Sequence, residues 1–116
     1  MDGFEVQRKI SNDVVILNLK GYLDAHTAPQ LEKALQTCID QKEYKIIINF
    51  ENLSYISSAG LGVFMGFIEE IRQHGGDLKF SNMNPKIFRV FDLLGFPNLF
   101  EIFDDERDAL NKFNSK

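Results

Sequence analysis

The sequence has no tryptophan, one cysteine, two histidines and three prolines among its 116 residues, and each scarcity excludes something. A lone Cys38 cannot close an internal disulfide or supply a multi-cysteine metal site. It falls on the apolar face of a predicted helix, so it reads as a packing residue rather than a reactive thiol. His26 and His74 lack a second ligand at metal spacing, and motifs such as HExxH are absent, so no metal or other cofactor is expected. No run of Lys or Arg forms a basic stripe, and the formal net charge is -4. The phosphate-neutralising surface that drives nucleic-acid binding is therefore missing, and no direct nucleic-acid partner is expected. Long apolar runs are missing too; none approaches the ~20 residues of a membrane span, so no membrane role is expected. The opening Met1-Asp2-Gly3-Phe4-Glu5 has no basic stretch followed by an apolar one, unlike a secretion signal. A soluble cytoplasmic protein is the expectation.

What is present is ample core material: 44% hydrophobic residues, including eleven Phe, with 26% charged. That balance argues for one globular domain spanning residues 1–116 and against disorder. Phe4 and Val6, then Val15, Leu17 and Leu19, alternate with a two-residue period on either side of Ser11-Asn12-Asp13, which predicts a hairpin. Val14 and Ile16 are apolar on the opposite face, so the second strand is expected to be covered on both sides at its start. Thr27-Ala28-Pro29-Gln30 has capping-box spacing, and Leu31, Ala34, Leu35 and Cys38 follow at one-face helical spacing. Tyr44 to Phe50 contains three consecutive isoleucines, Ile46 to Ile48, and predicts a doubly covered central strand.

A second helix follows Ser57-Ser58-Ala59-Gly60, with Leu61, Phe64, Met65 and Ile68 expected inward and Gly75-Gly76 as its stop. Asp77 to Ser81 predicts a short strand. Asn84-Pro85 opens a third helix with Ile87, Val90, Phe91 and Leu94 inward and Gly95 ending it. Phe100 to Phe103 predicts a last strand. Asp104-Asp105-Glu106 places acids where the dipole of a last helix favours them, with Leu110 and Phe113 as anchors. The order ββαβαβαβα implies right-handed crossovers and an α/β domain: a mostly parallel central sheet, an N-terminal hairpin and about four helices.

Catalytic patterns are absent. Ser58-Ala59-Gly60 lacks the GxSxG elbow, and His74 lies sixteen residues beyond Ser58, about 24 Å along a helix, too far to act as its base. Gly60-Leu61-Gly62 is too short for a dinucleotide fingerprint, and no phosphate-loop Lys accompanies it. The chain does not read as an enzyme. Two hydroxyls, Ser57 and Ser58, nonetheless stand at the mouth of a helix directly beyond a buried strand. Either both serve the helix start, since Ser is among the best N-caps, or one caps while the other is presented for modification. A phosphate there would be tolerated by the exposed amides and the positive helix end, yet would add about -1.5 to -2 charges to a packing surface.

The run Asn49-Phe50-Glu51-Asn52-Leu53-Ser54-Tyr55-Ile56-Ser57-Ser58-Ala59-Gly60-Leu61-Gly62-Val63 closely resembles the strand–loop–helix of anti-sigma factor antagonists, which share the STAS domain with sulfate transporters. Gly21-Tyr22-Leu23-Asp24 is similar to that family's G-x-L-D segment, and Phe91-Asp92-Leu93-Leu94-Gly95-Phe96 resembles the stretch before its last strand. The resemblance implies a STAS-like fold and a regulator whose unmodified form binds an anti-sigma factor serine kinase and so frees a sigma factor. It implies phosphorylation by that kinase at Ser58, two residues before the motif glycine Gly60, with Ser57 as second choice, and reversal by a metal-dependent serine phosphatase. Many members carry Asp where this chain has Ser57, though Ser also occurs there.

By the same resemblance Asp24 belongs to a kinase-binding face with Ser57, Ser58, Ala59 and Gly60, and Tyr22, His26 and Thr27 share its rim if the loops are neighbours. Without it, Asp24 reads as a solvated turn residue before a helix. Phe64, Met65, Phe88 and Phe91 read as core from their helical spacing. The fold would also suit a STAS subunit of a lipid-transport ABC system, with Ser58 merely a cap, or a scaffold of a sensory signalling complex.

Overall fold

The computed structural model describes residues 3–115; Met1 and Asp2, where the reading of the N-terminus begins, lie outside them. Strands β1 (Phe4–Ser11) and β2 (Val14–Leu23) form the expected hairpin, turning at Asn12 with φ 57°. Helix α1 (Ala28–Asp40), strand β3 (Lys45–Ile56), helix α2 (Ser58–Gln73) and strand β4 (Asp77–Ser81) follow. Helix α3 (Pro85–Leu93), a 3-10 turn at Phe96–Asn98, strand β5 (Ile102–Phe103) and helix α4 (Glu106–Asn114) complete the order. The strands lie side by side as β1-β2-β3-β4-β5, antiparallel in the hairpin and parallel thereafter.

Alternation along the central strands divides the core between two faces. Val15, Leu17, Leu19, Ile46, Ile48 and Phe50 join the larger cluster with Leu31, Leu35, Phe64 and Phe91 of α1, α2 and α3. Val14, Ile16 and Ile47 point the other way and are covered by Ala109, Leu110 and Phe113 of α4. The isoleucine run is thus buried on both sides, as its lack of a polar face predicts. Phe80 has its ring centroid 4.7–5.4 Å from those of Phe50, Phe64, Phe91 and Phe100. Such ring pairs add about 0.5–1.5 kcal/mol each beyond burial. On the α4 face, the buried Lys79 bonds Asp77 and Glu101 and lies 4.7 Å from the Phe113 ring centroid, which ties α4 to the sheet.

Several expectations are corrected. Met65 is 46% exposed, because α2 turns Gly60 towards the sheet and Val63, Phe64 and Ile71 pack, while Ile68 is half-buried against the core on the expected side. Phe88 is 37% exposed, whereas Phe64 and Phe91 are fully buried. Leu94 follows the end of α3 and is exposed; Gly95, at φ 76°, redirects the chain so that Phe96 takes the buried place. Phe100 is buried outside any strand, since only Ile102 and Phe103 pair with β4.

Strand β3 also runs past Phe50 to Ile56. β4 stops opposite Asn49, while β2 continues beside β3 as far as Leu23 opposite Ile56, absorbing two register shifts. This extension carries the chain out to where α2 begins.

Candidate functional site at the start of helix α2

The paired ends of β2 and β3 determine how two loops meet. Leu23 lies opposite Ile56, and the Ser57 amide donates to the Leu23 carbonyl at 2.9 Å. The Asp24 loop and the first turn of α2 are thereby fastened side by side, at the carboxyl ends of parallel strands where α/β sheets commonly place their sites. Tyr22 and Tyr55, opposite one another on the same strands, stand 42% and 47% exposed with ring centroids 5.9 Å apart.

Asp24 shapes its own loop. Its Oδ1 accepts from the His26 amide at 2.9 Å and the Thr27 amide at 3.2 Å, an Asx turn. Thr27 does not cap α1 as its spacing predicts. Its backbone is already helical (φ -101°, ψ -15°), which turns the hydroxyl away from the helix amides. Thr27 Oγ1 instead donates to the Tyr22 carbonyl at 2.8 Å and accepts from the Asp24 amide at 2.9 Å. His26 is exposed beside it. Tyr22, Asp24, His26 and Thr27 therefore form one bonded loop, and the Leu23–Ser57 contact sets it against the α2 start.

The two serines differ sharply. Ser57 occupies the N-cap position in extended conformation (φ -106°, ψ 173°), but its hydroxyl caps nothing. Ser57 Oγ is buried and has no hydrogen-bond partner, while its carbonyl accepts the first helical bond from the Leu61 amide. Ser58, the first helical residue, is exposed, as is Ala59. Gly60 is buried because a Cβ there would lie 2.6 Å from Leu23 Cγ. No acidic residue occupies the first turn of this 16-residue helix, so no side chain of that turn offsets its positive end.

Spacing alone did not bring out two neighbours. Tyr55 completes the aromatic pair, and a hydrophobic residue opposite Tyr22 on an exposed strand end was the available signal. Met65 lies seven residues after Ser58 and so returns to the same helix face, with exposed Gly62 and Gly66 between and beyond. Among the described residues no group of three His, Cys, Asp or Glu side chains is placed to hold a metal ion. Nor is any helix among them long and apolar enough to cross a membrane.

Comparison with known proteins places these features in a family. The STAS domain model matches residues 5–109. The anti-sigma-B factor antagonist of Bacillus subtilis (strain 168) is 33% identical over 91 residues, which cover 78% of this chain and 82% of that protein. The anti-sigma F factor antagonist of Paenibacillus polymyxa is 29% identical over 109 residues, 93% of each chain. The Bacillus cell-fate determinant SpoIIAA has been solved phosphorylated, with a TM-score of 0.72 at 28% identity over 96% of this chain and 99% of that one. The unphosphorylated form gives 0.80 at 27%, covering 97% and 96%. These relatives bear regulatory names and no enzymatic ones. By fold, motif and relatives, the chain belongs to the STAS-domain family of anti-sigma factor antagonists.

Proposed function

We propose that this protein is a cytoplasmic partner-switching regulator. Its unphosphorylated form binds an anti-sigma factor serine kinase and so releases a sigma factor; phosphorylation at Ser58 ends the complex, and a metal-dependent serine phosphatase restores it. The observation that carries this reading is the sorting of the two hydroxyls. Ser57 Oγ is buried under its neighbours, whereas Ser58 is exposed on the first turn of a rigid helix. The solved phosphorylated form of SpoIIAA supports a phosphate on a relative of this fold.

The physics of the switch follows from the surroundings. In the unmodified state Ser58 and Ala59 leave a low surface beside the Asp24 loop, on which a partner can close. A dianion at Ser58 is accepted by the free amides and the dipole of α2, so the domain itself loses little. In the complex the same dianion must be desolvated or face acids, Asp24 among them, which is unfavourable. A loss of only ~3 kcal/mol weakens binding about two orders of magnitude.

The test is a pull-down with wild-type, Ser58→Ala and Ser58→Asp protein, followed by phosphopeptide mapping after incubation with the retained kinase and ATP. Ser58→Ala is expected to bind and resist release by ATP, and Ser58→Asp to bind poorly. Phosphate found on Ser57 would move the site to the neighbouring hydroxyl. Phosphate on neither serine would overturn the switch and favour a constitutive subunit role.

A further inference from the structure

The sheet has two very different edges. β5 offers only two residues, whereas β1 offers eight, paired with β2 on one side in an unbroken register from Phe4–Gly21 to Ser11–Val14. Alternate residues of an edge strand direct N–H and C=O groups outward, and proteins normally blunt a long edge with a proline or a bulge. β1 has neither. Its outer residues are largely exposed, Ile10 by 56%, and no side chain among the described residues bonds its outward backbone groups.

We propose that two copies of this chain associate through β1, forming an antiparallel β1–β1 ladder about a two-fold axis at Gln7 and joining their sheets into one. The strand's own sequence selects that register. With the axis at Gln7, Glu5 faces Lys9 of the second copy and Lys9 faces its Glu5. The exposed Ile10 meets Phe4, and Val6 lies opposite the aliphatic stem of Arg8. Residues of like backbone orientation pair throughout, so the ladder runs unbroken from residue 4 to residue 10.

Moving the axis to Arg8 sets two Arg8 side chains, each already bound to Glu43 of its own molecule, against one another and places Lys9 opposite Gln7 rather than Glu5, so the Glu5–Lys9 pairs are lost. Moving it to Val6 sets Phe4 against Arg8 and leaves Lys9 without its acid. Glu5 makes no ion pair among the described residues, and Lys9 makes one, with Glu106 at 3.2 Å on its own molecule, which leaves its outward side open. On the opposite face of the strand a groove of about 440 Å³ runs between β1 and α1, lined by Phe4, Val6, Leu17 and Ala34 among others. An isologous pairing would cover it from both molecules at once.

Register-specific cross-linking tests the geometry. Directly opposed residues of antiparallel strands have Cα atoms about 4.5–5.5 Å apart, within disulfide reach, and the native Cys38 is buried. Gln7→Cys is therefore expected to form a homodimeric disulfide under mild oxidation. Glu5→Cys alone is expected not to, while a mixture of Glu5→Cys and Lys9→Cys proteins is expected to cross-link. In sedimentation equilibrium the wild type is expected to show a concentration-dependent dimer. Glu5→Lys, which replaces two attractive pairs with repulsive ones, is expected to weaken that dimer about tenfold while leaving the circular dichroism spectrum unchanged. A wild type monomeric up to millimolar concentration, or cross-linking by Glu5→Cys alone as fast as by Gln7→Cys, would overturn the proposal.

Discussion

Helix α2 carries three glycines that the structure treats in opposite ways, and alanine substitution should separate them by sign. At Gly60 an added Cβ would sit 2.6 Å from Leu23 Cγ, 2.9 Å from Leu23 Cδ2 and 3.2 Å from Ile56 Cγ1. Carbon atoms prefer about 3.5–4.0 Å, so the overlap with Leu23 approaches 1 Å. Leu23 is fully buried and cannot swing into solvent. Overpacking of this kind costs about 1–3 kcal/mol, partly offset by the ~1 kcal/mol that a helix gains when alanine replaces glycine. Gly60→Ala should therefore lose up to about 2 kcal/mol. At Gly62 and Gly66 nothing lies within 4 Å of the added atom, and only the helical gain remains, about 0.5–1 kcal/mol. Subtracting one substitution from another on the same helix cancels the propensity and leaves the steric cost. Urea unfolding with unchanged slopes provides the measurement. Because Leu23 is the clashing group, Leu23→Ala and Gly60→Ala should be non-additive, the pair being more stable than the sum of the singles predicts. Equal stabilisation at all three glycines would refute the close approach of Gly60 to Leu23.

Two further outcomes follow from the core. Phe80→Ala removes a ring that packs on four others and should cost about 3–5 kcal/mol by the same unfolding assay; a loss under about 1 kcal/mol would mean the cluster repacks. Burial pushes the Cys38 thiol up to about 11 from 9.0, although nearby Arg8 pulls it the other way. Above pH 9.0 the unfolded chain loses this proton while the folded one retains it, so stability should fall as pH rises towards about 11. Comparing wild type with Cys38→Ala across that window isolates the effect, and parallel pH profiles would contradict it.

The parts of the fold readable from sequence are those where hydropathy and backbone period agree. Ile46 to Ile48 could be nothing but a doubly buried strand, and Asn84 before Pro85 caps α3 through its side chain as its position suggests. The continuation of β3 was hidden because Glu51, Asn52, Ser54 and Tyr55 are exposed, which looks like loop when only one neighbouring strand is present. Hydropathy spacing misplaces part of the buried face of α2, putting Met65 inward, because the tightest contact of that helix is made by Gly60, a residue with no side-chain hydropathy to read. At the site, the positions of Asp24 and Ser58 followed from motif resemblance, but their adjacency rests on the Leu23–Ser57 bond between distant segments. Capping patterns at Thr27 and Ser57 match in residue type and fail for different reasons: the Thr27 backbone is already helical, whereas Ser57 has the extended backbone of a cap but its buried hydroxyl bonds no helix amide.

The strands stand in space in the same sequence as they occur along the chain. During synthesis, each new strand therefore emerges next to an edge that already exists, and none has to be inserted between two partners. The sheet can grow as translation proceeds, starting from a hairpin that needs only local contacts. Helix α4 is the exception. Ala109, Leu110 and Phe113 must travel back to Val14, Ile16 and Ile47, so that apolar surface stays wet on the ribosome until the segment after β5 has left the tunnel. The interval between completion of the sheet and arrival of α4 is when a nascent chain of this protein has most need of a chaperone.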